Sequence, residues 1–243
     1  MPAWRAELLK FATVRGQWIS AILVVLAIPV ISFLVVATGG LSSGQTSTSG
    51  AATGALAGLL AFGVWSATIA AGEYAQGTMV TSLMTVPRRS ILYVAKLGAT
   101  AATTAVGAIV SAVIALLVVL GVRAPGTYGL GNPAALFGVV IALITVAVIG
   151  VSVGLITRSP SASITIVVVA LLLPKAASSL LGGLQPWIVG ASPGTVVTEI
   201  VGGTHLPTNQ TFPAGTWAAA LTMLGVAAVV AVGGAVAFLR RDG

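Results

Sequence analysis

The chain contains no cysteine, one histidine and only four acidic residues among 243 positions. Without cysteine there is no disulfide, no thiolate zinc site and no cysteine nucleophile. Charged residues make up 6% of the chain, against about 25% in a soluble domain, too few to cover a soluble surface. No G-x-x-x-x-G-K-[ST] motif occurs, because Lys10, Lys96 and Lys175 follow Leu, Ala and Pro. The chain is therefore expected to bind no nucleotide and no other cofactor, and not to be an enzyme. Of the acids, Glu7 and Asp242 are terminal, Glu73 ends an apolar run and Glu199 lies in a loop-rich stretch. None falls in the middle of an apolar run, where a proton or sodium relay would need it. Uphill transport by such a chain would draw its energy from another subunit.

What the sequence does have is hydrophobicity: 57% of its residues are apolar and the mean hydropathy is +1.10. Apolar runs cover residues 18–38, 51–72, 90–121, 134–157, 161–181 and 216–239. Each approaches or exceeds the ~20 residues that cross a bilayer. The first run is longer than the ~7–15 residues of a signal-peptide core, so it is expected to be retained. Pro29 within it is tolerable in a membrane helix. Thirty glycines suit close helix packing, with Gly54-x-x-x-Gly58 and Gly150-x-x-x-Gly154 as candidate contact points. The expected fold is an all-α integral membrane protein with six transmembrane helices.

The net charge of +7 reads here as topology and contact with anionic lipid, with no nucleic-acid partner. Six spans place Arg5, Lys10, Arg15, Arg88, Arg89, Lys96, Arg158, Arg240 and Arg241 on one side, and Arg123 and Lys175 on the other. That asymmetry puts both termini in the cytoplasm. Residues 1–17 space Trp4, Leu8 and Phe11 at helical intervals among Arg5, Glu7, Lys10 and Arg15, the pattern of an interfacial helix.

Between the spans, residues 39–50 read as a flexible uncharged loop. Thr157-Arg158-Ser159-Pro160 is a tight turn that makes its flanking helices antiparallel neighbours. Residues 182–215 keep apolar groups broken by prolines, which suggests short helices dipping into the outer leaflet before the last span. Lys175 lies about 21 Å along its helix from Ser161 at 1.5 Å per residue. There it either snorkels or faces an outward cavity, meeting a substrate or Glu199.

Residues 73–89 form the main polar interval. Gly77 can end the second span and Thr78 can cap a short helix reaching Thr85, stopped by Pro87, with Arg88, Arg89 and Lys96 at the headgroups. The exposed face of that helix is expected to carry Met79, Leu83 and Met84, adaptable groups for a partner's groove. A rival chemistry is an intramembrane serine protease, since Gly40-Leu41-Ser42-Ser43-Gly44 matches G-x-S-x-G and His205 is available. The motif lacks the strand–helix or helical setting that holds such a serine.

Glu7-x-x-Lys10-x-x-Thr13-x-Arg15-x-x-Trp18, followed by Glu73-Tyr74-x-x-Gly77-Thr78, Leu83, Val86-Pro87-Arg88-Arg89 and Lys96, resembles the small bacterial ABC-2-type exporter permeases of roughly six spans. Leu173-Pro174 and Ser192-Pro193-Gly194 add a looser likeness. The resemblance implies a connecting helix over residues 3–17, bearing Glu7, Lys10 and Arg15. It also implies a coupling helix over residues 77–85 that docks on a separate ATPase holding ATP and Mg2+, outer re-entrant helices, and a second permease subunit, identical or not. The implied site is the bacterial plasma membrane, and the implied cargo is an amphipathic drug-, peptide- or lipid-like substrate. The coupling residues would be Glu73, Tyr74, Gly77, Thr78, Leu83, Pro87, Arg88 and Arg89, and a charge at Leu83 would uncouple transport from ATP hydrolysis. Lys175, after Pro174, stands where such permeases would carry an apolar residue. A non-transporting sensor or immunity subunit is the alternative of a different class.

Overall fold

A computed structural model describes residues 4, 6–7, 13, 15–41, 45–85, 88–122, 129–202 and 206–241. Among these residues the chain is helical, with turns and no strand. Trp4, Ala6, Glu7 and Thr13 are helical, ahead of α1 (Arg15–Ala37). There follow α2 (Ser47–Ala52), α3 (Ala55–Ala75), α4 (Thr78–Thr85), α5 (Arg89–Val122) and α6 (Ala135–Thr157). The chain ends with α7 (Pro160–Ala176), α8 (Gln185–Gly190), α9 (Pro193–Val201) and α10 (Thr216–Arg241).

Among the described residues, five segments are long and apolar enough to cross a membrane: α1, α2 with α3 as one 29-residue stretch, α5, α6 and α10. They mark the chain as a helical membrane protein. The expected fifth span, 161–181, is realised as the 17-residue α7. After Ala176 the chain passes into two single 3-10 turns, Ser178–Leu180 and Gly182–Leu184, so the long helix expected there stops short.

The centre of the bundle is α3 against α6. In α6, 72% of the apolar window is buried, against 17% in α1 and 22% in α10; the two outer helices are left to face lipid or another protein. Glycine permits the close central packing. A Cβ on Gly154 would stand 2.5 Å from the Ala67 carbonyl oxygen, and one on Gly150 would stand 2.5 Å from that of Gly63. Gly58 similarly admits Ile28 of α1. Both small-residue motifs therefore sit at real helix crossings.

Pro29 has no N–H, so the carbonyl of Val25, four residues earlier, loses its helical donor. Ser111 of α5 supplies the replacement, its hydroxyl donating to the Val25 oxygen at 2.7 Å. Tyr93 of α5 donates to the Ala231 carbonyl of α10 at 2.5 Å.

The expected flexible loop at 39–50 is partly helix. Thr46 and Ser49 form a reciprocal capping box for α2, and Ser47, Thr48 and Ser49 are buried. The backbone N–H groups of Ser47 and Thr48 donate to Gly129 and Leu130, at 3.0 and 3.1 Å. The Ser/Thr richness that suggested a linker instead provides a capped helix start.

Candidate functional site

Among the described residues, Arg89, Lys96 and Arg158 gather at one end of the bundle. There α3 stops at Gln76, and Gly77 takes a left-handed conformation (φ 71°) that no β-carbon opposes. The chain turns at once into α4. The Thr78 hydroxyl donates back to the Glu73 carbonyl at 3.3 Å, so it ties α4 to the end of α3 rather than capping the new helix.

The expected face of α4 is rotated. Met79 is buried, in a cluster with Ala70, Leu92, Tyr93, Leu155 and Phe238, and Leu83 leans on the same cluster. The apolar side chains that α4 presents outward are Val80, 57% exposed, and Met84, 79% exposed. They lie one turn apart on one face. The cause is hydrophobic: α4 has only eight residues, and it is held by burying one side against α3, α5, α6 and α10.

Lys96 is the main departure from expectation. It does not reach the headgroups; it is 4% exposed. Its ammonium donates to Glu73 Oε1 at 2.6 Å and to both carboxylate oxygens of Glu7 at 3.3 Å. Lys96 lies seven residues into α5, about 10 Å above Arg89 at 1.5 Å per residue, so burial demands counterions. The cluster joins the N-terminal helical segment, the end of α3 and the start of α5, directly above the hinge at Gly77.

Beside it a cavity of about 440 Å³ is bordered by Tyr74, Gly77, Leu83, Arg89 and Arg158. The Arg158 guanidinium lies 5.1 Å from the centre of the Tyr74 ring. Arg158 adopts φ 56° as the last cap of α6 and so makes the expected tight turn into α7. Arg88 and Arg15 are exposed, and Arg89 is half-buried. Lys10, Pro87 and the proposed protease pair Ser42 and His205 lie outside the described residues.

Two larger cavities lie elsewhere among the described residues. One, of about 570 Å³, opens between α1 and α5 with Phe62 and Trp65 as its floor. It is almost wholly apolar; Gln17 at its rim has an Oε1 that is buried without a hydrogen-bond partner among the described residues. The other, of about 640 Å³, lies at the opposite end of the bundle between α6, α9 and α10, and Glu199 borders it. Lys175 is exposed in the last turn of α7 and does not border that cavity. Of the two readings of Lys175, snorkelling or facing an outward cavity, its exposed position outside this lining agrees with the first.

Tyr93 and Ser111, to which the sequence assigned no role, tie helices together, and Arg158, expected only in a tight turn, also lies against Tyr74. Only Arg158 carried a signal, in the brevity of its turn. Comparison with protein-family models gives no match, and comparison with curated proteins gives none. The class that stands is the one the helices define: a membrane protein with five helices, among the described residues, long and apolar enough to span, carrying a buried ion cluster at one end.

Proposed function

We propose that the chain is the membrane subunit of an ATP-driven exporter of the ABC-2 kind, with α4 as its coupling helix. The observation that carries this reading is the construction of α4. It is a short helix hung from α3 by a glycine hinge, anchored on one side by Met79, and offering Val80 and Met84 on the other. An adaptable apolar pair of this kind suits a groove on a second protein.

In this reading α7 serves as a short sixth span and the α8–α9 segment dips into the outer leaflet. Both termini then lie in the cytoplasm of a bacterial cell. The Lys96–Glu73–Glu7 cluster makes the root of the lever rigid: closure of two ATPase subunits moves α4, and the ion cluster passes the displacement to α3, α5 and the N-terminal helix together. The exposed flank of α1, with Trp18, Ile22, Leu23 and Phe33 outward, suits lipid or a second permease. The groove between α1 and α5 suits an amphipathic cargo.

The test is gentle extraction of the tagged chain from its native membrane, followed by native mass spectrometry of the intact complex. The reading requires two permease masses with two copies of a P-loop ATPase. A complex without an ATPase, repeated after crosslinking, overturns it and leaves a sensing or immunity role.

A further inference from the structure

The cavity around Glu199 is built unlike the rest of the molecule. Its walls are apolar or aromatic, with Phe137 of α6 at 68% exposure and Trp217 of α10 at 81%. Leu221 and Ile200 continue the surface, and polar groups come from Asn132 and Thr216 as well as Glu199. No lysine or arginine is among the described residues that border it. Glu199 Oε1 is buried and has no hydrogen-bond partner among the described residues. The position of the carboxylate is set by packing. Ile200, its chain neighbour, comes so close to Gly138 that a Cβ there would stand 2.6 Å from Ile200 Cγ2, and this seats α9 against α6.

A carboxylate with a desolvated oxygen, set among large exposed aromatic faces, selects for one chemistry. A cation gains both from the carboxylate and from the negative faces of the rings, whereas an anion of the same size gains from neither. We infer that this cavity binds a lipophilic organic cation, its charge against Glu199 and its apolar body against Phe137, Trp217 and Leu221. Two sources share that chemistry: the ammonium headgroup of an aminophospholipid, and a soluble amphipathic cation. The inference needs no ATPase and no transport, so it stands or falls apart from the exporter reading.

The experiment uses the purified full chain in a neutral maltoside detergent, with tetraphenylphosphonium and tetraphenylborate as ions of matched size and opposite charge. Equilibrium dialysis should show the phosphonium bound about tenfold or more tighter than the borate, the scale of one charge-assisted contact. Glu199→Gln should remove most of that preference while leaving borate binding unchanged, which also reports that the variant is folded. Trp217→Ala should weaken both ions through lost apolar contact, and the phosphonium more than the borate because it also loses a ring face. Added phosphatidylethanolamine that displaces the phosphonium identifies the aminolipid as the source. Failure to displace it, with the preference intact, identifies a soluble cation. Equal binding of the two ions by the wild-type chain, or an undiminished preference in Glu199→Gln, overturns the inference.

Discussion

The two ends of the bundle each draw a carboxylate out of water and treat it in opposite ways. At the basic end Glu73 and Glu7 close on the Lys96 ammonium from different helices. At the other end the Glu199 oxygen meets no donor among the described residues. Burying a charge is costly unless it is paired and hydrogen-bonded. The paired cluster is therefore a mechanical tie, which fixes three segments relative to one another. The unpaired carboxylate leaves an interaction for something that is not part of the fold.

The contrast can be broken by removing charges one at a time. Lys96→Met has the largest expected effect, because it leaves Glu7 and Glu73 buried without their ammonium. A loss of about 3–5 kcal/mol, read by denaturant unfolding in micelles, is the expected outcome; wild-type stability would show that water reaches the cluster. Adding Glu73→Gln to Lys96→Met should recover a large part of that loss, since a buried pair replaced as a pair is tolerated far better than one broken. Non-recovery would mean that the tie works through packing.

Smaller effects sharpen the comparison. Ser111→Ala removes the donor that the described residues supply to the Val25 carbonyl and should cost about 1–3 kcal/mol, the penalty of an unsatisfied buried acceptor. Glu199→Gln should cost no stability and can raise it, because the carboxylate has no partner to lose among the described residues and a buried unpaired charge is removed. A large loss there would make Glu199 structural after all.

Much of this fold was legible from hydropathy alone. The apolar runs became helices, the one at 161–181 only as far as Ala176; Gly77 followed the end of α3, and the turn at Arg158 joined α6 to α7. Residues whose role depends on what faces them were not legible. Lys96 at the start of a long apolar run reads as a lysine reaching for headgroups, and nothing local discloses that Glu7 lies against it from 89 positions away. Met79, Leu83 and Met84 are equally apolar, so their identities could not say which side of α4 faces inward. Thr46 and Ser49 did carry a readable signal, a Ser/Thr pair at capping-box spacing, masked by the low complexity around it.

The proposed contact of α4 with an ATPase through Val80 and Met84 can be read with a photoreactive benzoylphenylalanine in place of Met84. Irradiated in native membranes, that variant should crosslink to one protein carrying a P-loop, while the same group at exposed Val94 of α5 should not. Crosslinks from position 84 to lipid alone, or to proteins without a nucleotide-binding motif, would contradict the account.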